Sequence, residues 1–163
     1  MANTSFFDRA DHLITTWMAR NGIKLLRISI GIIFIWFGAL KYFDHLSPAQ
    51  DLAINTIQRL TAHLFPDKLD LYILATLEVF IGIGLIFKLF LRFTLFLLFV
   101  QMLGTFSPLV LFPEGAFTVF PYGLTLEGQY ILKNLIIISA GIVIGSTVRK
   151  KQQDNLEGEE MSV

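Results

Sequence analysis

Residues 69–87 read LDLYILATLEVFIGIGLIF, an apolar run interrupted near its middle by one carboxylate, Glu78. A hydrocarbon core of about 30 Å takes roughly 20 apolar residues at about 1.5 Å each, so this run can cross a bilayer with Glu78 about 13 Å from its start. A carboxylate at that depth costs about 2.5–3.5 kcal/mol if it faces lipid. Glu78 is therefore expected to face other helices and to meet a partner among them. Its heptad stripe, Leu71, Ala75, Glu78, Gly82 and Leu85, carries the small residues of a helix–helix contact.

The rest of the 163-residue chain has the same character. Apolar residues make up 54% and Phe alone occurs 16 times, and with a mean hydropathy of +0.63 this is the composition of a membrane protein in a single unit. Thirteen basic and thirteen acidic residues cancel, so no overall field favours nucleic acid. With no cysteine, the chain has no disulfide, thiolate nucleophile or thiol relay. Residues 1–22 are expected to form an N-terminal amphipathic segment. In it Phe6, Ala10, Leu13, Ile14 and Trp17 recur at helical spacing after a capping Ser5, and the helix either lies in the membrane interface or packs on the bundle. Asp8, Arg9, Asp11, His12 and Arg20 break the apolar run that a cleavable leader needs.

A four-helix transmembrane domain is expected over residues 23–148, with spans at about 23–43, 69–87, 93–112 and 130–148 and a polar cytoplasmic tail over 149–163. Short turns make neighbouring spans antiparallel. Arg27, Gly31, Phe34, Gly38 and Lys41 share one face of the first span, and Thr94, Leu97, Gln101, Gly104 and Pro108 one face of the third. Gly141 continues the stripe of Asn134 in the fourth. Gly31, Gly38, Gly82, Gly104 and Gly141 are thus the expected helix-packing positions. Pro108 frees a backbone carbonyl, which predicts a kink near Ser107. Between the first two spans, Ser47, Pro48 and Gln50 predict the start of a surface amphipathic helix: a Ser cap, Pro at the first position and Gln three residues after the cap. Pro66 ends it. The fold class is an all-α membrane protein, an antiparallel four-helix bundle with that surface helix attached. Lys and Arg gather in the N-terminal segment, at Lys88 and Arg92 and over 149–151, while residues 113–128 have none, which places both termini in the cytoplasm.

With this topology Lys41, Glu78, Gln101, Ser107, Lys133 and Asn134 fall at comparable depths in the outer half of the bundle. A lysine can carry its ammonium about a helical turn from its own backbone, so Lys41 and Lys133 are both candidate partners for Glu78. Two amines against one acid would leave a donor-rich pocket suited to an anion or a quinone carbonyl. The same cluster could instead only lock helix register. No catalytic residue stands out, since nucleophile-elbow, zincin, P-loop and dinucleotide motifs are all absent. No metal site is expected either, because His45 and His63, with Asp44 nearby, lie 18 residues apart without a local motif.

Four blocks of sequence resemble one family: GALKY at residues 38–42, LEVFIGIGLI at 77–86, TFSPLV at 105–110 and FPYGLTLEGQYILKNLIII at 120–138. The chain resembles the DoxX-like superfamily of four-helix bacterial membrane proteins over residues 23–148, and the last block looks like the branch of the reactive-chlorine-resistance inner-membrane protein. The loop between the first two spans is shorter than in that branch. The resemblance implies a bacterial inner-membrane protein in an oxidant-stress or redox process, with Lys41, Glu78, Ser107, Pro108, Lys133 and Asn134 at recurring positions. It would act as a membrane partner or quinone-site subunit, with a redox protein or a second copy as its protein partner. The alternatives are an oligomeric transporter of a small anion or weak acid, and a structural or assembly protein.

Overall fold

A computed structural model describes residues 6–43, 46–47, 49–62, 64 and 66–160, with side chains from Phe7 to Val148. Ser5, Asp44, His45, Pro48 and His63, and the side chains of Arg149, Lys150 and Lys151, lie outside the described residues. The helices are α1 (Phe6–Leu40), α2 (Gln50–Thr61), α3 (Asp67–Phe87), α4 (Leu91–Phe106), α5 (Pro108–Leu111), α6 (Pro113–Ala116), α7 (Leu126–Lys133) and α8 (Leu135–Glu160). A two-stranded antiparallel hairpin, β1 (Phe117–Val119) and β2 (Gly123–Leu124), lies between α6 and α7. Four helical segments, Phe7–Leu40, Asp67–Phe87, Leu91–Leu111 and Leu126–Val148, are long and apolar enough to cross a membrane. Their outward faces carry Ile32, Trp36, Phe80, Phe96, Leu103 and Ile136, all exposed, as a lipid-facing surface requires. The chain is an all-α membrane bundle.

The α1–α3 pair is the most extensive contact in the molecule. It rests on glycine. A Cβ on Gly82 would stand 2.6 Å from the Gly31 carbonyl oxygen, and one on Gly31 would stand 2.7 Å from Ile86 Cγ1, so the two backbones touch where each side chain is missing. At Gly38 the same test meets Glu78 Cβ at 2.9 Å. Ile30 and Phe34 from α1, Ile81 and Leu85 from α3, Leu95, Leu98 and Met102 from α4, and Ala140 and Ile144 from α8 close into one buried core. That core fills the bundle toward the α3–α4 turn. The opposite end, carrying α2, α6 and the hairpin, is hollow.

Several boundaries differ from the sequence expectation. The N-terminal segment and the first span are one unbroken helix of 35 residues, about 52 Å long, because Gly22 has open space around it and a lone glycine costs only about 1 kcal/mol in a helix. The first span stops at Leu40, three residues early. The surface helix starts at Gln50, with Ala49 at the cap position in a left-handed conformation, φ 54°, and with Ser47 buried. The third span breaks at Ser107, whose hydroxyl donates to the Gly104 carbonyl at 2.6 Å, and resumes as α5 with Pro108 at its first position. The fourth breaks at Asn134, where α7 gives way to α8. Residues 149–160, expected as a polar tail, continue α8.

Candidate functional site

Glu78 is 8% exposed and binds two neighbours. Its Oε2 takes the Lys41 ammonium at 2.6 Å, and its Oε1 accepts from Gln101 Nε2 at 2.8 Å. The reason is directional. Side chains lean toward a helix N-terminus, so Lys41, one turn past Gly38, reaches back down α1, where its Nζ also donates to the Phe37 carbonyl at 3.3 Å. Gly38 lets α1 lie directly on Glu78. One acid thereby ties α1, α3 and α4 together. Beside it Tyr42 is bonded to Thr76 Oγ1 at 2.8 Å and stacks on Tyr72, which fixes the end of α1 against α3.

The cluster forms one wall of a cavity of about 360 Å³, within the roughly 300–1,000 Å³ of small-molecule sites. Phe34 and Phe37 of α1, the apolar face of α2 (Leu52, Ala53, Ile57 and Leu60), Met102, Thr105 and Pro108 are among its lining. From α7 and the break after it come Glu127, Tyr130, Ile131 and Asn134. The surface helix is thus a wall of the cavity. Both helix breaks border it, consistent with the rule that irregular backbone at membrane depth lines cavities.

The start of α7 is held by a local device. Thr125 caps the helix by accepting from the Gly128 amide at 3.0 Å, and its hydroxyl donates to the Gly115 carbonyl at 2.7 Å. Gly128 must be glycine there, because any Cβ would collide with the Ala116 carbonyl. These contacts seat α7 on α6 and bring Glu127 and Asn134 to the cavity.

Not every expected site residue joins the cluster. Lys41, Glu78 and Gln101 come together, and Asn134 borders the same cavity. Lys133 does not: it is on the outer face of α7, its Nζ 5.4 Å from the Tyr130 ring centroid, because it directly precedes Asn134 and one step along a helix is about 100° of rotation. Ser107 spends its hydroxyl on its own helix. Gly104 is not at a helix contact, since a Cβ there would meet nothing within 4 Å; it borders the cavity. Gly141 does meet a neighbour, with a Cβ placed 3.1 Å from the Phe99 ring. Among the described residues no group of three His, Asp or Glu side chains comes together as a metal site would require.

Three further residues matter. Arg27, only 5% exposed, donates from Nη1 to the Leu85 carbonyl and to that of Ile86 at 2.8 Å, placing a cation on the C-terminal carbonyls of α3. Its position on the Gly31–Gly38–Lys41 stripe was the available signal. Asp70, near the start of the 69–87 run, is 2% exposed with no hydrogen-bond partner for either oxygen among the described residues, and Glu127, in the 113–128 linker, is the second acid of the cavity.

The fold and site define an α-helical membrane bundle, solid at one end and enclosing a ligand-sized, largely apolar cavity with an ion pair in its wall at the other. The chain belongs to the DoxX family, whose model matches residues 22–113, from within α1 to the start of α6. No curated protein and no solved structure matches it.

Proposed function

We propose that this DoxX-family membrane protein binds a lipophilic, quinone-type ligand in the cavity between α1, α2, α4 and α7, and serves a redox or oxidant-stress process as a membrane partner rather than a self-contained catalyst. The observation that carries this reading is the cavity itself: apolar walls for a hydrocarbon body, with the Lys41–Glu78–Gln101 network as the place where a polar head is fixed. Intramembrane ionisable groups mark functional sites by default. The chain carries no thiol, and its three histidines, His12, His45 and His63, fall outside the spans read from the sequence at 23–43, 69–87, 93–112 and 130–148, so electrons would pass to or from an external cofactor or partner. The distribution of Lys and Arg supports an inner-membrane location with both termini cytoplasmic.

Binding of a short-chain benzoquinone or hydroquinone to purified protein in detergent tests this. Wild type should bind saturably. Gly104→Leu, whose Cβ meets nothing within 4 Å and whose side chain enters the cavity, should remain folded and lose binding. Absence of saturable binding by wild type refutes the reading. The register-only alternative makes a different forecast: replacing Lys41 and Glu78 together by Met and Leu should leave both fold and cellular phenotype intact.

A further inference from the structure

The balance of charge and hydrogen bonds in the cavity differs from the one its sequence suggested. Its walls bring one cation, Lys41, against two carboxylates, Glu78 and Glu127, while Lys133 stays outside. With all three ionised the site carries a net negative charge. The single amine spends two of its three N–H donors, on Glu78 at 2.6 Å and on the Phe37 carbonyl at 3.3 Å. What is left over is mostly acceptor. Glu127 makes no hydrogen bond or ion pair among the described residues, and Gln101, whose nitrogen serves Glu78, has a buried Oε1 that no donor meets. Asn134 on the same wall likewise makes no side-chain hydrogen bond, and its amide can donate as well as accept.

We infer that the cavity selects a ligand head carrying hydroxyl groups, a phenol or hydroquinone, over the corresponding carbonyl form and over anions. This rests on the quinone-type reading above and specifies the redox form that it favours. A carbonyl brings only acceptors and leaves Glu127 and the Gln101 Oε1 unmet, and an anion would face two carboxylates across a low-dielectric space. A hydroxyl donates to Glu127 or Gln101 and receives the Asn134 amide with its own oxygen. Sites built to bond a hydroxyl reject analogues that lack it, because their buried polar groups are then unpaired.

The test is equilibrium binding to the full chain in detergent of three probes of one ring and tail: a short-chain hydroquinone kept reduced with ascorbate, its dimethyl ether, and the matching benzoquinone. The hydroquinone should bind about tenfold or more tightly than either, the free energy of roughly one to two hydrogen bonds. Glu127→Ala, which removes no contact seen among the described residues, should unfold at the wild-type temperature and shrink that preference severalfold. Equal affinities, or a preference for the benzoquinone, overturn this inference and leave the ligand site standing. A preference that survives Glu127→Ala overturns the assignment of the acceptors. Failure of all three probes to bind removes both this inference and the reading beneath it.

Discussion

Glu78 is a buried acid whose two oxygens are each met by a different helix, and that arrangement fixes what its replacement does. Lys41→Met leaves the carboxylate buried without its cation and should destabilise the protein by about 3–5 kcal/mol. Adding Glu78→Leu to it should recover most of the loss. Thermal unfolding of the purified variants in detergent, followed by intrinsic fluorescence, reads the difference; a double variant no more stable than the single one would contradict the pairing. Arg27 supports a second prediction at this scale. Its guanidinium holds the Leu85 and Ile86 carbonyls, which otherwise end α3 unpaired, so Arg27→Met should cost about 1.5–3 kcal/mol, the worth of hydrogen bonds to a charged group. Arg27→Lys should recover only part of that, because an ammonium is more strongly hydrated than a guanidinium and loses more on burial.

Among the elements, the α1–α3 contact is set by missing side chains. Gly82→Ala places a methyl group against the Gly31 carbonyl and Ile35, so the helices must part, at a cost of about 1–3 kcal/mol. Gly104→Ala meets only the cavity and should be neutral or stabilise by up to about 1 kcal/mol through helix propensity. The pair of variants separates packing glycines from cavity glycines in one unfolding experiment. The α3–α4 turn carries a different strain: Lys88 closes α3 in the left-handed region at φ 58°, its amide bonded to the Gly84 carbonyl. Glycine adopts that conformation freely, so Lys88→Gly should raise stability by about 1 kcal/mol, visible as a higher unfolding temperature.

For the whole molecule, if all four apolar segments cross, the hairpin and both termini fall on opposite faces of the membrane. The chain has no cysteine, so single replacements report this cleanly. Tyr122→Cys at the hairpin, where the side chain is 82% exposed, should react with an impermeant maleimide added outside spheroplasts, while Leu13→Cys, 70% exposed on α1, should react only after lysis. Labelling of both from the same side would rule out four crossings. α1 is longer than the bilayer needs, and Arg27 lies level with the last turn of α3, so Phe7, Leu13, Ile14 and Trp17 stand beyond the end of α3.

The sequence alone marked four runs apolar enough to cross a membrane, an interruption near Ser107 and the prominence of Glu78, but not where the helices begin and end. Hydropathy and proline act locally along a helix, and a lone carboxylate among apolar residues must turn inward. It left open which amine answers Glu78, because a heptad stripe fixes direction within one helix and not the rotation of that helix against its neighbours. Packing made that choice: Gly38 lays α1 on Glu78, and the turn of α7 before Asn134 sends Lys133 outward. The tertiary structure alone brought in Glu127, since a residue of a polar linker reaches the cavity only after Thr125 and Gly128 seat α7 on α6. Contacts between segments far apart in sequence set the charge of the cavity, and no local pattern along the chain records them.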